Sequence, residues 1–262
     1  SRPSSQGNPR ESTITLPSKP ALMVRALFLH HNFPAQFRFL ALHLAQQGHE
    51  VVFMSDRNSV GELPGLRQIS ITNDKECINT SNLGGQLNCA DRFRRGMESL
   101  SSENWYPDFV ISHSGWGCGL HVSWIFPNAK QIVYIEWWFS NTAEDYEFDP
   151  KNSWWEYTID LRYKLRQRNL TLSLELAEAD VLVAPTEWQR SQLPKCFQEA
   201  CHVIHEGVDT DYFVMNPQWQ SANRLHLTYA TRGMEPMRGF PEFIEVLPTL
   251  LQKWPQLDVL VA

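Results

Sequence analysis

Short apolar runs of strand length alternate with longer stretches whose apolar residues recur every three or four positions, from about residue 23 to the end of the chain. The run VRALFLHH (24–31) has strand length, and after NFPAQ the residues Phe37, Leu40, Ala41 and Leu44 keep the spacing of an amphipathic helix. Gly48 predicts the end of that helix, because a residue without Cβ closes a helix in the left-handed conformation, and HEVVFMS (49–55) predicts a second strand. A strand-helix-strand unit implies parallel pairing, since two parallel strands need a crossover between them. The alternation continues with DFVISHS (108–114), a Gly-rich loop, a helix ending near Phe126, the strand KQIVYIEW (130–137), a helix around 158–178 and the strand ADVLVAPT (179–186). Thr186, with Gln189 three residues later, predicts a helix start by the capping-box pattern, and CHVIHEGVD (201–209) closes the set as a short strand. This order predicts a doubly wound, parallel-sheet α/β domain of Rossmann-like type over residues 22–205.

A second unit is expected over residues 206–262. After the polar NPQWQSANR (216–224), LHLTYAT (225–231) predicts a strand, and Phe240, Phe243, Ile244, Leu247, Leu250 and Leu251 form a helical stripe. Pro241 suits the first turn of that helix, whereas Pro248 lies inside it and predicts a kink. LDVLVA (257–262) reads as a buried-type parallel strand that wants neighbours on both faces, so this second Rossmann-like domain is expected to be incomplete. Residues 1–21, polar and rich in Ser and Pro, are expected to be a disordered leader, tag or linker.

Composition narrows the function. Of 262 residues, 42% are hydrophobic and 20% charged, which fits a folded soluble protein, and the net charge of −6 with no Lys/Arg block argues against a general nucleic-acid binder. Any phosphate recognition has to be local. Five scattered cysteines without a CxxC pair argue against a disulfide framework and against a structural zinc site, and favour a cytoplasmic location. No apolar run approaches the roughly 20 residues needed to cross a bilayer, so membrane contact, possible at the inner face, would be peripheral.

The stretch YATRGMEPMRGFPEF (229–243) places two arginines, Arg232 and Arg238, each before a glycine, between a strand and a helix. A helix starting near Gly239 offers unpaired N–H groups and the positive end of its dipole, and the two guanidinium groups add forked donors, which together make a phosphate or diphosphate site. The plainer alternative is a pair of solvated loop arginines.

Several phrases converge on one family. HHNFPAQFRFLALHLAQQGHEVVFMSD (30–56), SHSGWG (112–117), VYIEWWF (133–139), VIHEGVDTDYF (203–213) and RGMEPMRGFPEFIEVLP (232–248) together resemble the retaining glycosyltransferases of family 4, which have the two-domain GT-B fold. The resemblance implies a transferase that moves a sugar from a nucleotide-diphosphate-sugar donor to a glycan or lipid-linked acceptor with retention of configuration. It also implies that Arg232 and Arg238, with Gly239, bind the donor diphosphate. Arg238 stands where the family has a lysine, and the spacing is one residue longer. The family's paired glutamates in the later part of the second domain have no counterpart before the sequence ends. His113 resembles a family histidine near the transferred sugar, where it would hydrogen-bond a donor hydroxyl; otherwise it is a histidine packed at a strand end. Surface polysaccharide assembly is where such enzymes are often found.

Around these residues, His30, His31, Asn32 and Gln36 are candidates for binding acceptor hydroxyls, and alternation along a strand means that only one of the two histidines faces the cleft; His31 is the one taken. Gly115, Gly117 and Gly119 would let backbone approach a ligand or shape a tight turn, with Trp116 beside them. Trp137, Trp138, Trp154 and Trp155 lie among carboxylates and offer either a sugar-stacking wall or anchors to the core, and Glu136 is the carboxylate singled out as substrate-binding. The absence of GxGxxG after the first strand argues against a bound dinucleotide, so the expectation is no cofactor beyond the nucleotide sugar as co-substrate. No DxD-type motif is assigned, because Asp209 and Asp211 belong to the interdomain phrase, and no essential metal is expected. A nucleotide-sugar epimerase or hydrolase of the same fold, and a noncatalytic carbohydrate-binding module, remain as alternatives.

Overall fold

The computed structural model describes residues 22–58, 61–71, 80–140, 158–215 and 225–262. Trp154, Trp155, Cys77 and the expected leader lie outside the described residues. The chain opens with β1 (Arg25–Phe33), a 3₁₀ turn (Ala35–Phe37), α1 (Arg38–Gln46), β2 (Glu50–Asn58) and β3 (Arg67–Ser70). It continues with α2 (Leu83–Ser102), β4 (Phe109–His113), α3 (Val122–Ile125), β5 (Lys130–Tyr134) and α4 (Ile159–Glu178). Then come β6 (Val181–Ala184), α5 (Glu187–Gln192), α6 (Lys195–Gln198) and β7 (Cys201–Val203). These seven strands form one sheet in the order β3-β2-β1-β4-β5-β6-β7, with every pair parallel. Strand order reverses between β1 and β4, and in open α/β sheets the crevice outside such a reversal is where ligands bind.

Alternation along β1 decides which helix covers which face. Leu27 and Leu29 pack with Val52, Met54 and the α2 residues Cys89, Phe93, Met97 and Leu100. Ala26 and Phe28 point the other way, onto Phe37, Ala41 and Phe53. Burying each such large apolar side chain stabilises the fold by about 1.5–3 kcal/mol. A third cluster joins Val133, Ile135, Leu172, Leu176 and Leu182 where α4 covers the other half of the sheet.

Several sequence expectations hold at residue level. Gly48 closes α1 at φ 84°, Thr186 caps α5 by accepting from Gln189 N–H, and α3 ends at Phe126; Thr158, which the pattern did not single out, caps α4 by accepting from Leu161 N–H. Along the predicted stripe of α1, Phe37 and Ala41 are buried, but Leu40 is 47% exposed. The sequence reading placed nothing between Ser55 and Asp108, yet β3 and the twenty-residue α2 lie there. Asn82 caps α2, its side chain accepting from Gly85 N–H at 2.9 Å.

β8 (His226–Tyr229) and β9 (Asp258–Val261) form a separate parallel pair joined by α7 (Phe240–Lys253). Tyr229 stacks on Phe243 with ring centres 4.7 Å apart. α7 runs through Pro248 and completely buries none of its residues. Among the described residues β8 is the one strand paired with β9, whose Leu260 stays 59% exposed.

Candidate functional site

The C-terminal ends of β1, β4 and β5 meet at the strand-order reversal, and each delivers a polar side chain there. β4 ends on His113, which is 3% exposed. Its Nδ1 lies 2.6 Å from the Ser114 carbonyl oxygen, so that nitrogen carries a proton and Nε2 faces Glu136 Oε2 at 3.2 Å. That contact becomes a charge-assisted bond once the imidazole is doubly protonated. Glu136, just past β5, also accepts from the Gln36 side-chain amide at 3.3 Å. Gln36 Oε1 in turn accepts from His30 Nε2 at 3.0 Å, while His30 Nδ1 accepts from Asn32 N–H at 2.8 Å. The pattern assigns His30 as a neutral tautomer with its proton on Nε2. Burial, reinforced by the nearby His113, pushes its pKa well below the ordinary histidine value.

The result is a continuous polar chain, His30–Gln36–Glu136–His113, at the mouth of the sheet. The hydrogen bond with His113 lowers the Glu136 carboxyl below its usual range against an opposing effect of burial, and the charge of Arg232 adds to the lowering. Trp116 stacks on His113 with ring centres 4.4 Å apart and planes 28° apart, roofing the pair. Tyr134, next to Glu136, hydrogen-bonds Glu206, and burial followed by that contact raises its phenol.

The sequence reading correctly separated His30 from His31, and the structure puts the other one in the polar chain. His31 lies on the α2 side, where its Nδ1 is 3.1 Å from Asp56 Oδ2. Gln36, Glu136, His113 and Trp116 are brought together as a group, and Asn32 contributes its backbone N–H. The three loop glycines separate by role. A Cβ on Gly117, at φ 83°, would lie 2.7 Å from the Gln86 carbonyl oxygen, and one on Gly119 would lie 2.5 Å from Ser112 Oγ. Gly115, at φ 104°, faces open space, and its carbonyl is tied to the Gln86 side chain at 2.7 Å. Gln86, 0% exposed, is a supporting residue that sequence reasoning missed together with its helix. Trp138 packs on the third core cluster, as a structural anchor would, and Trp137 lies 5.6 Å from Trp188.

The β8–α7 loop carries the two arginines. Arg232 is exposed. Arg238 is half-buried, its Nε 3.5 Å from Glu235 Oε2 and its carbonyl accepting from Tyr229 OH at 2.9 Å. Gly239 caps α7 at φ 69°. Part of the set of N–H groups expected to be unpaired there is used within the loop itself. The amides of Arg238, Gly239 and Phe240 turn back onto the carbonyls of Glu235 and Pro236 within the 3₁₀ turn, and Pro241 has no N–H. An anion would therefore meet the guanidinium groups and the helix dipole. Asp209 closes a turn by accepting from Asp211 and Tyr212 N–H at 3.1 and 3.0 Å, a structural use of the VDTD carboxylates.

Comparison with known proteins settles the family. The profile of the glycosyl transferase family 4 group matches residues 47–213, more than half of the chain. The chain belongs to the glycosyl transferase family 4 group. No curated protein matches the sequence significantly. Among solved structures, this family 4 chain is similar to the catalytic domain of starch synthase IV from Arabidopsis thaliana bound to ADP and acarbose. The TM-score is 0.60 at 12% identity, over 91% of this chain and 68% of that one. It is also similar to Anabaena HepE in complex with UDP-glucose, at TM-score 0.56 and 13% identity, over 91% of this chain and 60% of that one. WaaG, described as a glycosyltransferase involved in lipopolysaccharide biosynthesis, matches at TM-score 0.50 and 14% identity, over 91% of this chain and 70% of that one. These likenesses give the fold, the GT-B arrangement of Rossmann-like α/β domains. The chain spans between 60% and 70% of the length of these structures. Among the described residues no helix is long and apolar enough to cross a membrane.

Proposed function

We propose that the protein transfers a sugar from a nucleotide-diphosphate-sugar donor to a hydroxyl of a glycan or lipid-linked acceptor, with retention of anomeric configuration, in surface polysaccharide synthesis on the cytoplasmic side of a membrane. The observation that carries this reading is the polar chain His30–Gln36–Glu136–His113 at the strand-order reversal, its histidines buried and Glu136 open to the cleft, with Arg232 acting on Glu136 from the β8–α7 loop. Family membership supports the reaction class. The chemistry follows from the charges. Cleaving the donor's glycosidic bond develops negative charge on the diphosphate, and Arg232, Arg238 and the α7 dipole near Gly239 oppose it in the transition state. His113 Nε2 hydrogen-bonds a hydroxyl of the transferred sugar in exchange for Glu136, which accepts from the acceptor hydroxyl, while the Gln36 amide can donate to it or accept from it. Trp116 and Gly115 give that sugar an aromatic face and an open backbone edge. No metal takes part in the transfer.

The test is turnover of UDP- and ADP-sugars by the full chain with and without glycan acceptors, with the anomer of the product assigned by NMR. Removing a charge-assisted phosphate contact costs about 1.5–3 kcal/mol, so Arg232→Ala and Arg238→Ala should each lower kcat/KM by about 10- to 100-fold. Unchanged rates in both variants would refute the donor assignment. An isomerised sugar formed without acceptor would refute transfer.

A further inference from the structure

Behind the polar chain, on the α2 side of β1, lies a second cluster that the proposed transfer does not use. His31, Asp56 and Cys89 each bring one ligand atom to a common point, all within 4.8 Å of one another, and all three residues are buried. Asp56 Oδ2 is the hub, with His31 Nδ1 and Cys89 Sγ each 3.1 Å from it. The other carboxylate oxygen, Oδ1, is held by Arg92 Nε at 3.1 Å. The Cys118 thiol, fully buried in the His113 loop, packs in the same core cluster as Cys89 and lies just outside this group of three ligand atoms. Against the two thiols lies Glu175, 0% exposed, with neither carboxylate oxygen completing a hydrogen bond. A buried carboxyl without a partner stays neutral unless a cation lies near it.

We infer that His31, Asp56 and Cys89, completed by Cys118 turning in from the adjoining loop, form a closed structural site for one thiophilic divalent cation, with zinc the best fit. Every ligand type is one that zinc takes, and a set of two sulfurs, one imidazole and one carboxylate excludes magnesium and calcium, which prefer oxygen. For the first three ligands the connectivity already matches. In the protonated arrangement, one carboxylate oxygen collects the His31 and Cys89 protons, and a dication replaces those protons at the centre of the same atoms. The charges also balance, because the dication and the Arg92 guanidinium cancel the anions of Asp56, Cys89 and Cys118. Arg92, holding Oδ1, orients Oδ2 in the manner of an outer-shell partner. Glu175, beyond the thiols, feels the same cation.

The ligands come from the ends of β1 and β2, from α2 and from the loop that follows β4. A metal there would therefore tie those four elements together directly beneath Trp116, which stacks on both His31 and His113. With four protein ligands and no open position, the role is to order the loop, separate from transfer chemistry. Sequence patterns miss this site because its cysteines are separated by 28 other residues and its other two ligands lie on different strands.

The experiment uses the full chain, stripped with a chelator, dialysed and then exposed to zinc or cobalt(II). Expected are one zinc per chain by elemental analysis, a thermal midpoint that rises with free zinc, and proton release on binding. Cobalt should give a thiolate-to-metal charge-transfer band with tetrahedral d–d intensity. Cys89→Ser and Cys118→Ser should each abolish that band, while Cys196→Ser, at an exposed position, should leave it intact. Wild-type protein that is folded by circular dichroism yet shows no cobalt–thiolate band overturns the inference without relying on any variant. So does a band that survives Cys89→Ser or is lost in Cys196→Ser.

Discussion

Replacing Gln86 with leucine tests whether the His113 loop is held from below by α2. The substitution removes the amide that donates to the Gly115 carbonyl at 2.7 Å and the oxygen that accepts from Thr171 Oγ1 at 3.2 Å. Gln86 is 0% and Thr171 3% exposed, so water does not replace the lost partners. A buried polar group stripped of its partner costs about 1–3 kcal/mol, so two such groups set a range of about 2–6 kcal/mol. The Thr171 hydroxyl has a fallback acceptor in the Arg168 carbonyl at 3.5 Å, which places the expected loss near the middle, about 3 kcal/mol. Thr171→Val strands only the Gln86 oxygen and should cost about 1–2 kcal/mol. In the double variant that shared bond is absent from both sides, so its cost should fall short of the sum of the single costs by about 1 kcal/mol. Urea unfolding followed by tryptophan fluorescence, with midpoints compared at constant m, measures all three. If the double variant equals the sum within about 0.3 kcal/mol, the residues do not interact and the α2–α4 bridge beneath the loop is wrong.

Two further outcomes follow from the same loop and its partner. Gly117→Ala combines left-handed strain of about 1–2 kcal/mol with a Cβ 2.7 Å from the Gln86 carbonyl oxygen. An overlap of that kind costs about 1–3 kcal/mol more, and a total loss below about 1 kcal/mol in urea unfolding would mean that the backbone yields freely there. Glu136 has its folded-state pKa lowered by the His113 hydrogen bond and the Arg232 charge despite burial. Its ionised form therefore adds stability above the unfolded carboxyl pKa of about 4.3, and that contribution is lost as pH falls through the folded value. Wild type should be more stable than Glu136→Gln at neutral pH, and the gap should close under acid; a gap of constant size down to about pH 3 would contradict the ion pair.

Where local pattern and tertiary demand agree, the architecture is legible in the sequence. The run VRALFLHH, the closing Gly48 and the cap Thr186 all sit where the pattern places them. α2 escaped for a physical reason: it opens with Gly84 and Gly85 in its first turn, and four arginine or acidic side chains within Asp91–Arg95 dilute a stripe carried by Gln86, Cys89, Phe93, Met97 and Leu100. That stripe has helical spacing, so the signal was present but weaker than the glycines and charges around it. The metal-type cluster could not be read at all, because it joins residues from separate elements whose meeting depends on the sheet order.

The two histidines of β1 show where local reading stops. Alternation requires His30 and His31 to diverge, but in a parallel sheet both faces are covered, Phe28 under Phe37 and Leu29 in the cluster with Phe93, so hydrophobicity does not say which face carries the chemistry. What decides is the chain just after the strand. The 3₁₀ turn Ala35–Phe37 folds Gln36 back over the α1 side, within 3.0 Å of His30, and from there Gln36 reaches Glu136 across a separation of a hundred residues. On the other face, His31 meets Asp56 and Cys89. One dipeptide thus serves two sites, His30 in the polar chain at the cleft and His31 in the cluster behind it. Exchanging their roles would require a one-residue slip of β1, which would also turn Leu27 and Leu29 away from α2 and bury Ala26 and Phe28 where the α2 side chains now pack. The core packing of β1 therefore selects which histidine reaches the cleft.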